Sequence, residues 1–430
     1  MKKHTTWVPA VVLASAMALT GCARTSTASG DGDAAGSAGV VPTADCPPAA
    51  TQALADGEKI TLGVTLAQSG PVAVVDNMAK AMNAVFEEAN AAGGIDGHEI
   101  EFVVKDDAFE TARAVTNVRQ LIDSEGVMAL VGQVGTPLVA ATQPFVERSC
   151  TPQLWVSSGV EELAFDPQAH PFTTSTLIPY ETEAAMWVEA LKTGGLESGK
   201  IAMINADDDR ATAFEKGVTK AIEGSDFQLA GSEKVSASAP SVDAQVNATL
   251  AKDPDAVLVG TSTGSCPPIM TGLRRAGFKG PILVNSTCSA IVSNFVPAGK
   301  AANGVQVLTF TDDPSNPALA DDPEVKEYRK LMAKYAPDAD ADSSYTASGY
   351  QNAKLTLAAL SEAAQSEEGL SRVSIMNAAW TVDAEVPMGP KGAKATLNWT
   401  EDSLWRDQVQ LMEYQHGKGL RPVGDVLTVQ

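Results

Sequence analysis

The sequence predicts an α/β fold, and three observations carry that reading. Between Lys59 and Asp107 the chain reads strand, loop, helix, strand, and the same alternation returns further along. The 430-residue chain also keeps about 370 residues beyond its leader and linker, enough for two domains at about 150 residues each. Parallel strands joined through a helix bury one face of a sheet under that helix. In such sheets ligands sit outside the carboxyl ends of the strands, so those loops are the places to look for a site.

Taken in order, the chain begins with Lys2, Lys3 and His4 ahead of an apolar run from Trp7 to Leu19, the layout of a secretory signal peptide over residues 1–21. That run is too short to anchor the mature protein as a membrane helix, and no later run has that character. Leu19-Thr20-Gly21-Cys22 closes it in the manner of a lipobox, where cleavage before Cys22 lets its thiol carry a lipid. The expected location is outside the cytoplasm, on the outer face of the cell membrane, held by the lipid anchor at Cys22. Residues 22–57 hold almost nothing large and apolar, too little to offset the entropy of ordering, so a flexible tether is expected there.

Removing the leader takes away two lysines and no acids, leaving 29 basic against 53 acidic residues, a net charge of −24 with neutral His. Such a balance argues against a nucleic-acid partner and suits an exported, soluble surface. Four cysteines remain besides Cys22, in a compartment that permits disulfides. Cys266 and Cys288 follow successive strands and are expected to join, with Cys46 and Cys150 left over; four cysteines allow three pairings, and spacing alone does not decide among them. No CxxC spacing and only scattered His argue against zinc, and neither metal nor cofactor is expected.

The first strand is Ile60 to Leu66, ended by Gln68-Ser69-Gly70-Pro71. Met78, Ala81, Met82, Val85, Phe86 and Ala89 then form one helical stripe that faces a sheet, and Gly93-Gly94 stops it. Ile100 to Lys105 is the next strand, with Asp106-Asp107 at its end. A strand ending in Ser-Gly-Pro, a helix closed by Gly93-Gly94-Ile95-Asp96-Gly97 and a strand ending in two aspartates resemble the leucine/isoleucine/valine-binding family of ABC-transporter solute-binding lipoproteins. The resemblance runs from about Lys59 to the C-terminus. It implies a type I periplasmic-binding-protein fold: two doubly wound lobes joined by a three-crossing hinge, closing on solute like a flytrap. Lobe 1 is expected over 58–176 and 309–387, lobe 2 over 177–308 and 388–430. The implied partners are a small solute and an ABC permease in the membrane, served by a monomer.

Further along, a helix is expected from about Ala112 to Ser124 and a strand from Val127 to Val131. In Gly132-Gln133-Val134-Gly135-Thr136-Pro137 the Thr reads as an N-cap and the Pro as the first helical residue, so the helix start offers N–H groups to an anion. Leu154-Trp155-Val156 is a short strand followed by Ser157, Ser158 and Gly159. The resemblance gives ligand-contact positions to Thr136, Ser157 and Gly159; Gly159 stands where the amino-acid binders carry a hydroxyl. With Gln68, Ser69, Gln133, Gly135 and Ser158 these make the expected first-lobe site.

Phe172 to Pro179 is the expected first crossing, after which strands Ile201–Asn205, Phe227–Ser232 and Ala256–Val259 alternate with helices Thr212–Ile222 and Val242–Lys252. Their ends supply Arg210, Ser262 and Ser286 to the expected site. Asp207, Asp208 and Asp209 read as a solvated loop, and Arg210, the one cation in these loops, pairs with a neighbouring aspartate or with a ligand carboxylate. Gly304 to Thr311 is the expected return to lobe 1, followed by helices Pro323–Tyr335 and Ser344–Ala364. Met388-Gly389-Pro390 is the expected third crossing, with closing strands Ala395–Asn398 and Gln408–Glu413.

Gly260-Thr261-Ser262-Thr263-Gly264 also matches GxSxG, with Asp312 and His416 following in the order of a hydrolase triad. A nucleophile elbow would put Pro267 and Pro268 inside its helix at a cost of about 3 kcal/mol each, so no enzyme is expected. The main alternative to import is a ligand sensor of the same fold for a signalling partner. As for the solute, the family resemblance implies an acidic side chain near Ser286 and aromatic side chains near Arg210 and Ser262, and this chain has neither. A desolvated ammonium without a carboxylate costs several kcal/mol. The expected ligand is therefore a small polar solute, amino-acid-like or a related acid or amide, with plain zwitterionic leucine disfavoured unless the Asp207–Asp209 loop folds inward.

Overall fold

The structure is a computed structural model and describes residues 41–70, 72–236, 239–390, 394–397 and 408–428. The expected signal peptide, Cys22 and the expected tether up to residue 40 lie outside the described residues. From residue 41 the chain is ordered against the first lobe, which corrects the expectation of a tether reaching residue 57. Val41 is buried and its N–H meets Asn377 Oδ1 at 2.9 Å, Cys46 joins Cys150 with Cα atoms 5.6 Å apart, and α1 (Pro48–Thr51) leads to Leu54, whose N–H meets the Leu370 carbonyl.

The first lobe continues as β1 (Ile60–Leu66), α2 (Asp76–Ala91), β2 (Ile100–Asp106), α3 (Thr111–Asp123), β3 (Ala129–Val131), α4 (Thr136–Ser149), β4 (Gln153–Val156), α5 (Glu161–Ala164) and β5 (Thr173–Ser175). Its five strands are parallel in the order β2-β1-β3-β4-β5. The stripe read from sequence is what buries α2: Met78, Ala81, Met82, Val85 and Phe86 are all inaccessible, with Phe86 edge-on to Phe102 at 5.2 Å. A β-bulge interrupts β4, where Trp155 sits at φ 58° with its indole N–H on Thr356; such bulges bend a strand and re-aim the residues beyond it.

The second lobe runs α6 (Tyr180–Thr193), β6 (Ser198–Ala206), α7 (Asp209–Ala221), β7 (Asp226–Val235), α8 (Asp243–Leu250), β8 (Ala256–Gly260), α9 (Cys266–Arg275), β9 (Ile282–Val284), α10 (Val296–Ala298) and β10 (Gln306–Thr309). Its sheet has the order β13-β10-β9-β8-β6-β7, where β13 (Gln408–Gln415) runs antiparallel to β10. The chain enters β13 only after α11 (Pro323–Tyr335), α12 (Ser344–Ala364), α13 (Arg372–Ala379) and the hairpin of β11 (Asp383–Glu385) with β12 (Lys394–Thr396) have been added to the first lobe. It ends with β14 (Gly419–Pro422) and β15 (Leu427–Thr428), both paired to β13. Alternation along the strands divides the second core in two. Ala256, Leu258 and Leu283 face α6 and α7 with Trp187 and Phe214, while Val257, Val259, Ile282 and Val284 face α8 and α9 with Val246 and Leu273. That is the double winding expected, since a parallel strand buried on both faces must be apolar on both.

The second crossing is narrowed to the end of its expected segment, and the third falls later than expected. The segment Gly304 to Thr311 was to return the chain to lobe 1, yet Gln306–Thr309 is a strand of the second sheet, so the return comes after Thr309. Met388 and Leu397 both belong to the first core, and Leu397 N–H meets the Val382 carbonyl at 3.0 Å. Met388–Pro390 is therefore not the third crossing, and residues 388–397 are not lobe 2. The strand there is the hairpin partner Lys394–Thr396.

Candidate functional site

A cleft between the carboxyl ends of the two sheets, with an empty volume of about 1050 Å³ including the space at its mouth, gathers residues from both lobes and from the crossings. Its first-lobe wall carries Val72, Val75, Met78, Phe109 and Val134 beside Thr136 and Ser157. Phe109 reaches the cleft because the turn after β2 runs through the left-handed region: Ala108 has φ 48° and Phe109 φ 61°. The two aspartates hold that turn, Asp106 Oδ1 accepting from Ala108 N–H at 2.9 Å and Asp107 Oδ1 from Phe109 N–H at 2.8 Å. Gly135, at φ 110°, lets the ring lie close, since a Cβ there would be 2.7 Å from it.

Gly135 rather than Thr136 occupies the N-cap of α4, a correction of one residue. Thr136 is the first helical residue, and its hydroxyl is 3.0 Å from Ser158 Oγ. Ser158 lies one layer behind the wall, its carbonyl accepting from Ser175 Oγ at 2.7 Å. Gly159 does not line the cleft either. A Cβ at 159 would fall 2.6 Å from the Tyr180 ring and 2.7 Å from the Ile178 carbonyl, so the place is filled by Tyr180.

Three other expected contacts are turned elsewhere. Gln133 is buried under the sheet, its Oε1 accepting from Gln153 and, at 3.1 Å, from Thr142. Gln68 and Ser69 are exposed and bind Asp106: their N–H groups donate to its Oδ1 at 2.9 and 3.2 Å and Ser69 Oγ to its Oδ2 at 2.6 Å. The Ser69 hydroxyl first, and the backbone N–H groups with it, hold the Asp106 carboxyl down to about 2. Gly135, Thr136, Ser157, Arg210, Ser262 and Ser286 do line the cleft.

On the second-lobe wall stand Ser262 and Thr263 after β8 and Ser286, Thr287 and Ser289 after β9. Cys266 and Cys288 lie behind these loops as a disulfide with Cα atoms 6.2 Å apart. Arg210, at the start of α7, is 7% exposed and is the one charged side chain lining the cleft among the described residues. Its Nε donates to Asp208 Oδ1 at 2.8 Å and Oδ2 at 3.0 Å, and Asp208 also caps α7 by accepting from the Arg210 N–H at 3.1 Å. Burial is the largest single influence and opposes the guanidinium charge, but the bond to Asp208, the Asp208 charge and the neighbouring Tyr180 and Tyr345 together outweigh it and the pKa is raised. Glu183 of α6 is wholly buried behind Ser286. Burial drives its carboxyl up to about 8, against hydrogen bonds from Ser286.

Sequence reading missed the wall supplied by α12 and the crossings. Tyr345, Ser348 and Asn352 lie on the face of α12 turned to the cleft, and Phe310 and Thr311 come from the second crossing. Their spacing along α12 is the available signal, but it is the same spacing that buries a core helix. The hydrolase reading has no geometry behind it: α9 begins at Cys266 with both prolines in its first turn, and the exposed His416 comes after β13 at the end of the sheet away from the cleft. Among the described residues no His, Cys, Asp and Glu group could hold a metal, and no helix is long and apolar enough to cross a membrane.

Residues 59–410 match the model of a family described as periplasmic binding protein. A Leu/Ile/Val-binding protein homolog 7 from Brucella abortus (strain 2308) is 24% identical over 377 residues, covering 84% of this chain and 90% of that one. Among solved structures, a fatty acid ABC transporter substrate-binding protein from Thermomonospora curvata superposes with a TM-score of 0.76 at 21% identity, covering 88% and 94% of the two chains. A branched chain amino acid ABC transporter protein from Thermus thermophilus with bound valine gives 0.77 at 17% identity, covering 87% and 97%.

Proposed function

The chain belongs to the periplasmic binding protein family, and from that premise we propose that it is a lipid-anchored receptor that delivers a small carboxylic acid or amide lacking an ammonium to an ABC importer. Members of this family are extracytoplasmic, bind small molecules for an ABC permease and catalyse no reaction. The observation that carries the choice of solute is the charge of the cleft: Arg210 is the one charged lining side chain among the described residues, and its counter-ion Asp208 is already bound to it. An ammonium entering this cleft finds hydroxyls but no free carboxylate, and that desolvation costs several kcal/mol. A carboxylate meets Thr136, Ser157, Ser262 and Arg210, and an apolar body meets Val72, Val75, Met78, Phe109 and Phe310. Named relatives of the same fold handle a fatty acid and valine, which brackets an acid with an apolar body.

A thermal-shift screen of the mature chain against matched pairs tests this, 4-methylpentanoate against leucine being the simplest. A ligand at a hundredfold its Kd adds about 2.7 kcal/mol, so the acid is expected to raise Tm and leucine to raise it less. Equal or tighter leucine binding would refute the solute class. Anchoring is tested separately: Cys22→Ser is expected to release the protein from the membrane fraction.

A further inference from the structure

Glu183 is a buried acid that this recognition scheme leaves unused. It lies on α6, is fully inaccessible, and among the described residues has polar partners only in Ser286: the Ser286 N–H donates to Oε1 at 2.5 Å and the Ser286 Oγ lies 3.1 Å from Oε2. Ser286 in turn lines the cleft. One hydroxyl therefore stands between the carboxyl and a bound solute.

Building on the proposed function, we propose that Glu183 is a positioning residue that sets the polarity of Ser286 and so makes the acid-over-amine preference of the cleft depend on pH. As a neutral acid, Glu183 donates its proton to Ser286 Oγ, and the serine hydrogen is then free to point at a carboxylate or carbonyl oxygen of the solute. As a carboxylate it takes the serine hydrogen, and Oγ turns its lone pairs, backed by a negative charge, to the cleft. The first state favours an acid and the second an ammonium. Charges on the packed elements are engaged elsewhere. Glu181 on the same helix pairs with Lys216 of α7, and Arg210 of α7 with Asp208. Ser286–Cys288 carries no ionisable side chain, its cysteine being held in a disulfide, and β8 and β9 bring only apolar residues. Burial, rather than a neighbouring charge, governs Glu183, and its pKa of about 8 puts the switch just above neutrality.

The test has a ligand-free arm and a ligand arm. Infrared difference titration of the mature chain against Glu183→Gln is expected to show a protonated carboxyl band at neutral pH that belongs to Glu183 and is lost as pH rises through about 8. Its absence at neutral pH overturns the proposal whatever the solute. Calorimetry with 4-methylpentanoate and leucine is expected to show the affinity ratio falling about tenfold between neutral pH and pH about 9, with no such fall in Glu183→Gln or Ser286→Ala. An equal pH dependence in Glu183→Gln also overturns it. If the infrared band titrates as expected but neither probe binds, the solute class fails and the protonation of Glu183 stands.

Discussion

The first-lobe wall of the cleft is dominated by bulky side chains, Val72, Val75, Met78, Phe109 and Val134, beside Thr136 and Ser157, whereas the second-lobe wall carries short hydroxyl side chains at 262, 263, 286, 287 and 289 beside Arg210 and Tyr180. Both walls are strand-end loops of parallel sheets, so topology does not separate them. The first lobe gains bulk by lifting a loop through left-handed backbone, with Asp106 and Asp107 spent on holding it. The second keeps its charges one step back, Asp208 on Arg210 and Glu183 behind Ser286. Most of the apolar bulk thus comes from one side, while the charge and most of the hydroxyls come from the other, and each half can be broken by itself.

The largest expected effect is at Arg210. Arg210→Met strips the second wall of its charge and leaves Asp208 without a counter-ion, which is expected to weaken binding of an acid by about 100-fold and lower stability by about 3 kcal/mol. Adding Asp208→Asn is expected to recover stability but not binding, read by denaturant titration and calorimetry. A double variant that binds acid as tightly as the parent would show that the second wall is not the polar pole.

Next come two acids whose carboxyls are raised mainly by burial, Glu183 and Glu147. Glu183 has a folded pKa of about 8 against an ordinary 4.5, so the native state holds a proton that the unfolded chain has lost. Its favourable contribution is full below the unfolded value and is lost as pH rises toward about 8. Glu183→Gln is accordingly expected to outlast the parent in thermal melts by an increment that grows across that window to a few kcal/mol. Glu147, on α4 of the first lobe, is pushed up to about 7 mainly by burial and offers the comparison. Its side chain keeps 23% exposure, so Glu147→Gln is expected to follow the same sign with a smaller rise. Equal rises would mean that water reaches Glu183 as readily as Glu147.

Smaller again is the packing at Gly159. Gly159→Ser places a Cβ 2.6 Å from the Tyr180 ring, in a region where Phe214 stacks between Tyr180 and Trp187. Overpacking of this kind costs about 1–3 kcal/mol, and a Tm unchanged from the parent would mean the ring moves aside freely.

Much of the fold was legible because its signals are local and redundant. The α2 stripe, the restart of the pattern at Ile201 and the prolines at 267 and 268 each name an element without help from the rest of the chain. The crossings were less legible. Gln306–Thr309 and Lys394–Thr396 are short strands whose apolar pattern does not say which sheet they join. At the site, position at a strand end picked out Thr136, Ser157, Arg210, Ser262 and Ser286, which line the cleft, but it could not say which way a polar side chain turns. Gln133 turned under the sheet to meet Gln153, and Glu183 was invisible as a neighbour of Ser286 because 103 residues separate them.

The smallest expected effect sharpens the contrast from the first-lobe side. Ser69 stands in the loop where a ligand contact was expected, yet its hydroxyl and N–H both go to Asp106. If that loop serves only to hold the backbone that carries Val72, Val75 and Phe109, Ser69→Ala removes one of several bonds to an exposed carboxylate. The Asp106 pKa is then expected to rise from about 2 toward the ordinary aspartate value, visible by NMR titration. A depressed carboxyl stabilises the fold above its unfolded pKa and loses that contribution as pH falls through the folded one. The variant, with less of that contribution, is therefore expected to be slightly less stable than the parent at neutral pH, with the difference closing as pH falls toward about 2. Solute affinity is expected to stay within about twofold, because Gln68 N–H and Ala108 N–H still hold Asp106 Oδ1 and the turn they share. A tenfold loss of affinity would instead make Ser69 a direct contact, and the first wall would then be polar as well as bulky.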